Sequence, residues 1–260
     1  MARAFLLIAD ISGYTRFMKV HRINLAHAQY VVAQLLESLI DAAGSLKLAK
    51  LEGDAAFFYA QLPDSAANDD AAIERLSRQI ADIRRGFLTR REEMTLDRVC
   101  TCDGCMQAGQ LRLKFVAHLG EIAFQRVKRY TELAGVDVIL VHRLLKNSVP
   151  VPEYVLMSEP VYERMEPSLR EHAKPAVENL EGLGDTRIYF IDMQEIALAN
   201  LPALRPSPLR RVLGWVRINL RSLPYILGMK KACAGFANMG EALGLPPPKA
   251  DPTPQLPPKS

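Results

Sequence analysis

No run of about 18–20 apolar residues, the length a helix needs to cross a bilayer, occurs anywhere in the sequence. A membrane-spanning helix is thereby excluded. The opening MARAFLLIADISG has too short an apolar part for a secretory leader, and it meets an acid and a glycine without a small-residue cleavage site, so a cytoplasmic location is expected. Cysteine is scarce, with four in the chain, which is too few for a disulfide framework in a protein of this size. Aromatics make up only 7% of the residues and do not interleave with the basic ones, which argues against a nucleic-acid surface. Acids are nearly missing from one end: residues 201–260 hold nine Lys or Arg and two acids, whereas the remainder holds 24 basic and 27 acidic side chains. A basic end on a slightly acidic body suits an anionic partner such as a membrane surface; a solvated terminus is the alternative.

What is present is an ordinary globular composition, 49% apolar and 24% charged, in 260 residues, enough for one large domain and an appendage. Phe5 to Ala9 is a short apolar run that reads as a buried strand, broken by Asp10-Ile-Ser-Gly13. Val32, Leu35, Leu36, Leu39 and Ala43 keep helical spacing up to Gly44. Two strand-like runs, 46–51 and 55–60, flank Glu52-Gly53-Asp54, a hairpin turn. Pro63-Asp64-Ser65 opens a helix whose stripe is Ile73, Leu76, Ile80, Ile83 and Phe87. Leu111, Leu113, Phe115 and Ala117 alternate as a half-buried strand, and Gly120 is expected to begin a second hairpin arm through Val127. Residues 136–146 read as helix. Tyr154 to Met157 and Arg187 to Ile191 read as strands with a short helix and a loop between them. The expected fold is therefore α+β, a ferredoxin-like antiparallel sheet backed by helices, over 1–195. A basic amphipathic segment would follow over 196–245, then a Pro-rich tail over 246–260 too poor in apolar residues to fold.

Asp10 and Asp54 each stand beside a glycine at the end or turn of an expected strand. Two such carboxylates converging from neighbouring strands suit a magnesium–triphosphate site, since magnesium takes one or two carboxylates and keeps several waters. Asp is also common in turns for local reasons, and spacing alone does not separate these readings.

The surrounding words carry more. Asp10-Ile-Ser-Gly-Tyr-Thr-Arg-Phe17 resembles the first metal-binding motif of class III adenylate and guanylate cyclases, and Lys50-Leu-Glu-Gly53-Asp54 resembles the second. His118-Leu-Gly120 is similar to the family's His-x-Gly strand end. Gly135 to Arg143 falls where the family has Gly-x-x-x-Asn-x-x-x-Arg, and Leu180-Glu-Gly-Leu-Gly-Asp-Thr-Arg-Ile-Tyr-Phe190 resembles its closing segment. The matches run in family order over residues 4–193, and the His142–Asn147 run with the cysteine cluster looks like a divergent bacterial branch.

The resemblance implies a two-ion magnesium or manganese site on Asp10 and Asp54, a nucleoside triphosphate (ATP in preference to GTP), and a head-to-tail homodimer with composite sites. It implies attack of a ribose 3′-hydroxyl on the α-phosphate, giving a 3′,5′-cyclic nucleotide and pyrophosphate. Arg143 would meet phosphate from the opposite face, where its bidentate fork fits. Lys50 would approach the purine edge, and Glu132 falls at the second base-reading position. Three departures weigh against efficient turnover: Ile139 stands where the family has its ribose-orienting Asn, Leu183 and Glu181 stand where it has two lysines, and Glu is not the usual residue at 132. Lys146 and Arg187 are the candidate substitutes. A catalytically degenerate module that binds nucleotide or a partner, membrane-peripheral in one form, is the alternative function.

Cys100, Cys102 and Cys105 could ligate zinc, but a structural site takes four ligands and no His lies within the segment. A partner chain or His118 is left to complete it; the alternative is three reduced thiols in a loop. His21, His27 and His142 fall in helices and read as packing residues. Leu209, Leu213, Val216 and Leu220 share one face of a basic helix with Trp215 between, a profile that fits either a membrane surface or docking on the protein's own body.

Overall fold

The computed structural model describes residues 1–20, 25–63, 69–98, 103–196 and 203–229. Cys100, Cys102, the helix opening at Asp64-Ser65, His21 and the Pro-rich tail lie outside the described residues. In chain order the elements are β1 (Ala2–Ser12), α1 (Tyr14–Val20), α2 (Leu25–Asp41), β2 (Lys47–Glu52), β3 (Ala55–Gln61) and α3 (Asp69–Leu96). Next come α4 (Asp103–Gln107), a 3-10 turn, β4 (Arg112–Val127), β5 (Tyr130–Ala134), α5 (Val136–Arg143) and β6 (Tyr154–Ser158). The last are α6 (Glu159–Tyr162), α7 (Pro167–Arg170), β7 (Lys174–Leu180), β8 (Gly184–Asp192) and α8 (Pro208–Ile226).

The strands form one sheet in the order β2-β3-β1-β4-β6-β8-β7, with β5 paired to the far end of β4. Every pairing is antiparallel except β4 with β6. The α+β reading, an antiparallel sheet backed by helices, therefore holds. β1 is central and covered on both faces. Phe5, Leu7, Ala9 and Ile11 join a core with α2 and α3, while Ala4, Leu6 and Ile8 join a second core with α5. Two-sided burial explains why β1 reads as a continuous apolar run rather than an alternating one.

Three elements differ from the sequence reading. Gly120 does not turn the chain: β4 runs straight through it for 16 residues, and the hairpin lies at residues 128–129 before β5. Gly120 is required for a close approach instead, because a Cβ there would sit 2.3 Å from Cγ of Asp137 in α5. β5 and β7 were not anticipated as strands. β7 is an edge strand, mostly exposed and carrying Pro175, so its sequence lacks the apolar pattern of an inner strand.

The approach at Gly120 is part of a polar lock. Asp137 accepts the Glu121 backbone N–H at 2.6 Å and His118 Nε2 at 3.0 Å, and His118 Nδ1 lies 2.8 Å from Ser158 Oγ. With Nε2 donating to a carboxylate, Nδ1 accepts the Ser158 hydroxyl, so the neutral imidazole satisfies both partners and ties β4, α5 and β6 together. Burial pulls the His118 pKa below its ordinary value, and this outweighs the hydrogen bond and charge of Asp137, which act the other way. Between the lowered folded value and the unfolded value of about 6.5, the unfolded chain binds more protons, so stability falls as pH falls through that window. The melting temperature is expected to drop from pH 7 to pH 5, and His118→Gln should flatten that drop. Asp137→Ala should cost about 1–3 kcal/mol at pH 7 by denaturant titration, the penalty of leaving buried donors unmet.

Candidate functional site

Strand register brings the acids together. Asp10 lies near the end of β1, opposite Ala55 of β3 on one side and Lys114 of β4 on the other. Asp54 occupies the β2–β3 turn after Gly53, whose φ of 67° is a left-handed conformation that glycine adopts without strain. The turn is held against β1 by the Ile11 N–H donating to the Asp54 carbonyl at 3.1 Å. The two carboxyl groups lie near enough for Asp10 to act directly on Asp54. Lys114 Nζ closes the group, 2.8 Å from Asp10 Oδ2, with side-chain exposures of 21% and 14%.

The electrostatics follow. Burial first, and then the charge of Asp10, push the Asp54 carboxyl up to about 6. Burial also raises the Tyr14 phenol, helped by the charge of Asp54. Burial alone would lower the Lys114 ammonium, but its hydrogen bond to Asp10 and the nearby acid charges outweigh that and hold it above its ordinary value. Two crowded carboxyls are hard oxygen donors with unmet negative charge, a set that fits magnesium or manganese and leaves the remaining positions to water and phosphate oxygens. Lys114 is the built-in cation that an incoming ion must share or displace.

The second set of residues lies elsewhere. Lys50, Ile139, His142, Arg143, Lys146 and Glu181 line a cleft of about 630 Å³ that neither Asp10 nor Asp54 lines. Arg143, at the end of α5, pairs with Glu181 at 2.7 Å across the mouth. Lys50 and His142 both reach Glu52, at 2.6 and 3.2 Å. Burial would raise Glu52, and these two partners more than reverse it, so its pKa is lowered. Ile139 is 52% exposed, an apolar side chain standing in solvent beside Arg143. Leu183 is tucked against the second core instead of facing the cleft. Of the two candidate substitutes, Lys146 lines the cleft, whereas Arg187 is engaged by Glu159 at 2.8 Å and does not line it. Glu132 sits on β5 opposite Gln125, exposed and outside the cleft.

Lys114, Tyr14 and the Glu52–His142 contact had escaped the sequence reading. Lys114 carried a signal, one of two charges inside Leu111–Ala117, but its meaning depends on the pairing with Asp10. At the cysteine segment, Cys105 Sγ lies 3.7 Å from Nδ1 of His27 on α2. His27 is therefore the imidazole beside this cysteine, while His118 is committed to Ser158 and Asp137. Among the described residues no group of three or more His, Cys, Asp or Glu is arranged to hold a metal.

An eight-stranded, mostly antiparallel sheet with helices on both faces is the fold of solved class III cyclase catalytic domains. The chain matches the adenylyl cyclase CyaB from P. aeruginosa with a TM-score of 0.54 at 14% identity, over 73% of this chain and 93% of that one. It matches a class III adenylyl cyclase-like ATP-binding protein from Pseudomonas aeruginosa at 0.53 and 18% identity, over 66% of this chain but only 36% of that one. A bacterial light-regulated adenylyl cyclase matches at 0.53 and 12% identity, over 72% of this chain and 50% of that one. At such identities the likeness defines the fold. By sequence, a family model described as "Protein of unknown function (DUF2652)" matches residues 32–154. The chain belongs to the family of "Uncharacterized protein Rv2561/Rv2562" of Mycobacterium tuberculosis, with 47% identity over 211 residues, covering 80% of this chain and 95% of that protein.

Removing the built-in cation should expose the repulsion it masks. Lys114→Met is expected to lower stability by about 1–3 kcal/mol at pH 8, above the raised pKa of Asp54. It should also enlarge the rise in melting temperature produced by magnesium, read in thermal scans with and without the ion. Equal magnesium shifts in the two proteins would refute this competition.

Proposed function

We propose that this chain binds a metal–nucleoside triphosphate, ATP in preference to GTP, at sites completed between the two copies of a homodimer. The observation that carries the reading is the Asp10–Asp54 carboxyl pair, brought into contact by two strands of a cyclase fold. Asp10 and Asp54 hold the magnesium or manganese ions. The chemistry such ions supply when bound is neutralisation of the triphosphate and activation of the ribose 3′-hydroxyl. Arg143 meets phosphate with its bidentate fork, Lys146 adds charge in the same cleft, and Lys50 is placed for the purine edge. Glu132 belongs to this reading only as a contribution from outside the cleft. Because the acids and the cleft are separate on one chain, a second copy is what brings them face to face.

Binding rather than rapid turnover is the reading favoured for the isolated protein. Ile139 donates nothing and Leu183 is engaged by the core, so the groups that align the ribose and meet charge in the transition state are missing. Each lost donor costs about 3–4 kcal/mol of transition-state stabilisation, whereas binding substrate and transition state equally gives no rate. The Pseudomonas class III adenylyl cyclase-like ATP-binding protein offers support of the same kind: a cyclase-like fold in a protein described by what it binds.

The cysteine segment supports a second ligand, zinc, one per chain. The specific observation is the His27 imidazole beside Cys105, a nitrogen donor that the segment itself does not contain and that would bring three thiolates to four ligands.

Calorimetry should show magnesium-dependent ATP binding by the wild type. Asp10→Asn and Asp54→Asn should each weaken it by at least about tenfold, as expected when one of two shared carboxylates is lost, with little change in melting temperature. Equal binding by wild type and variants, or a strict monomer in light scattering with and without Mg-ATP, would sink the reading. A mass-spectrometric assay should find cyclic AMP and cyclic GMP formed far below about 1 s⁻¹, the slow end of ordinary enzymes. Elemental analysis of protein purified without a metal-affinity tag should find one zinc per chain, reduced in His27→Ala; metal near zero in the wild type refutes the zinc site.

A further inference from the structure

The helix α8 is docked the wrong way round for a helix whose only task is to close its own domain. Its contacts with the body include ion pairs, beside a pocket that Leu213 and Gly214 line with Val31 and Met94. Arg210 Nε pairs with Asp97, just past α3, its Nη1 lies 3.4 Å from Glu93 on α3, and the Ser207 N–H donates to Asp97 at 2.6 Å. The apolar stripe is left in solvent. Leu209, Val212, Val216, Leu220, Leu223 and Leu227 recur at three- and four-residue spacing, with exposures from 38% to 68%. Trp215, the chain's single tryptophan, is 57% exposed. A surface helix normally turns such a stripe inward.

The charges around the stripe say what covers it. Residues 203–229 contain five arginines and no Asp or Glu. Arg211 and Arg217 are exposed. At about 100° per residue Arg217 borders the stripe, whereas Arg211 falls on the far side of the helix, near Asp97. The sequence continues with Lys230 and Lys231. A second copy is a poor occupant: stripe-to-stripe pairing would bring two basic helices together, with no acid on this helix to answer the arginines. The protein's own body already engages Arg210. An anionic bilayer surface satisfies both features, taking the apolar stripe at the acyl boundary and the arginines among its phosphates. Among the described residues no helix is long and apolar enough to cross a membrane, so the helix would lie on the surface.

We propose that α8 is an interfacial anchor that seats this protein on anionic membranes through its exposed leucine–valine stripe, with Arg217 at the stripe's border reaching the lipid phosphates. The proposal is independent of nucleotide binding. The test uses the full chain and vesicles of phosphatidylcholine alone or mixed with phosphatidylglycerol. The protein should sediment with the mixed vesicles and much less with the neutral ones, and the emission of Trp215 should shift to the blue and become shielded from an aqueous quencher. Val216→Glu with Leu220→Glu, both exposed in the folded protein, should lower partitioning on the order of tenfold or more while circular dichroism and melting temperature stay put. Arg217→Glu, which leaves the stripe intact, should weaken the preference for anionic vesicles. No sedimentation with mixed vesicles overturns the proposal, as does equal partitioning by the Val216→Glu, Leu220→Glu variant. A concentration-dependent self-association without lipid that this variant abolishes would assign the stripe to a second copy and overturn it equally.

Discussion

A charged triplet at the end of a doubly buried strand sets the terms for the rest of this structure. β1 is packed on both faces, so its side-chain alternation admits no error: a slip of one residue would turn Phe5, Leu7 and Ala9 away from their core and carry Asp10 to the opposite face. With the register held, Asp10 comes level with Ala55 and Lys114, and the β2–β3 turn delivers Asp54 to the same point. Ionised carboxyls that are mostly shielded from water must find countercharge or keep their protons. Here Lys114 neutralises part of the pair, and Asp54 is pushed up to about 6 for want of more. The same shortage of positive charge is what makes the place attractive to a divalent ion.

The cation-lined cleft is held by a different device. α5 is only eight residues long, and its position is set at its start by Asp137, which engages His118 and the Glu121 backbone next to a glycine that leaves room for it. Arg143 stands at the other end of the same short helix, so the lock at Asp137 also positions the guanidinium. Each half of the candidate site is thus rigid in itself, and the two are separate on one chain. In the proposed homodimer the acids of one copy would meet the cleft of the other, opposite charge across an interface.

α8 follows the same logic of charge with the opposite outcome. Glu93 and Asp97, at and just past the end of α3, pair with Arg210, while the leucine stripe takes no part in the core that α2 and α3 close. Satisfying the ion pairs leaves an apolar surface outward, and such a surface beside basic residues is a membrane-facing profile.

The acids, their flanking glycines and the order of the motifs were legible in the sequence, since a short motif encodes a local turn and a short strand encodes its own burial. So were α2, α3, β1, β2, β3 and β6, whose apolar periods are strong. The edge strands β5 and β7 were not, because an edge needs no apolar pattern, and Gly120 read as a turn because the side chain it makes room for lies 17 residues further on. Lys114 as partner of Asp10, Leu183 in the core, His27 against Cys105 and the outward stripe of α8 belong to the tertiary structure alone. Each depends on which strand or helix lies alongside, and sequence patterning determines the buried face of an element without naming its neighbour.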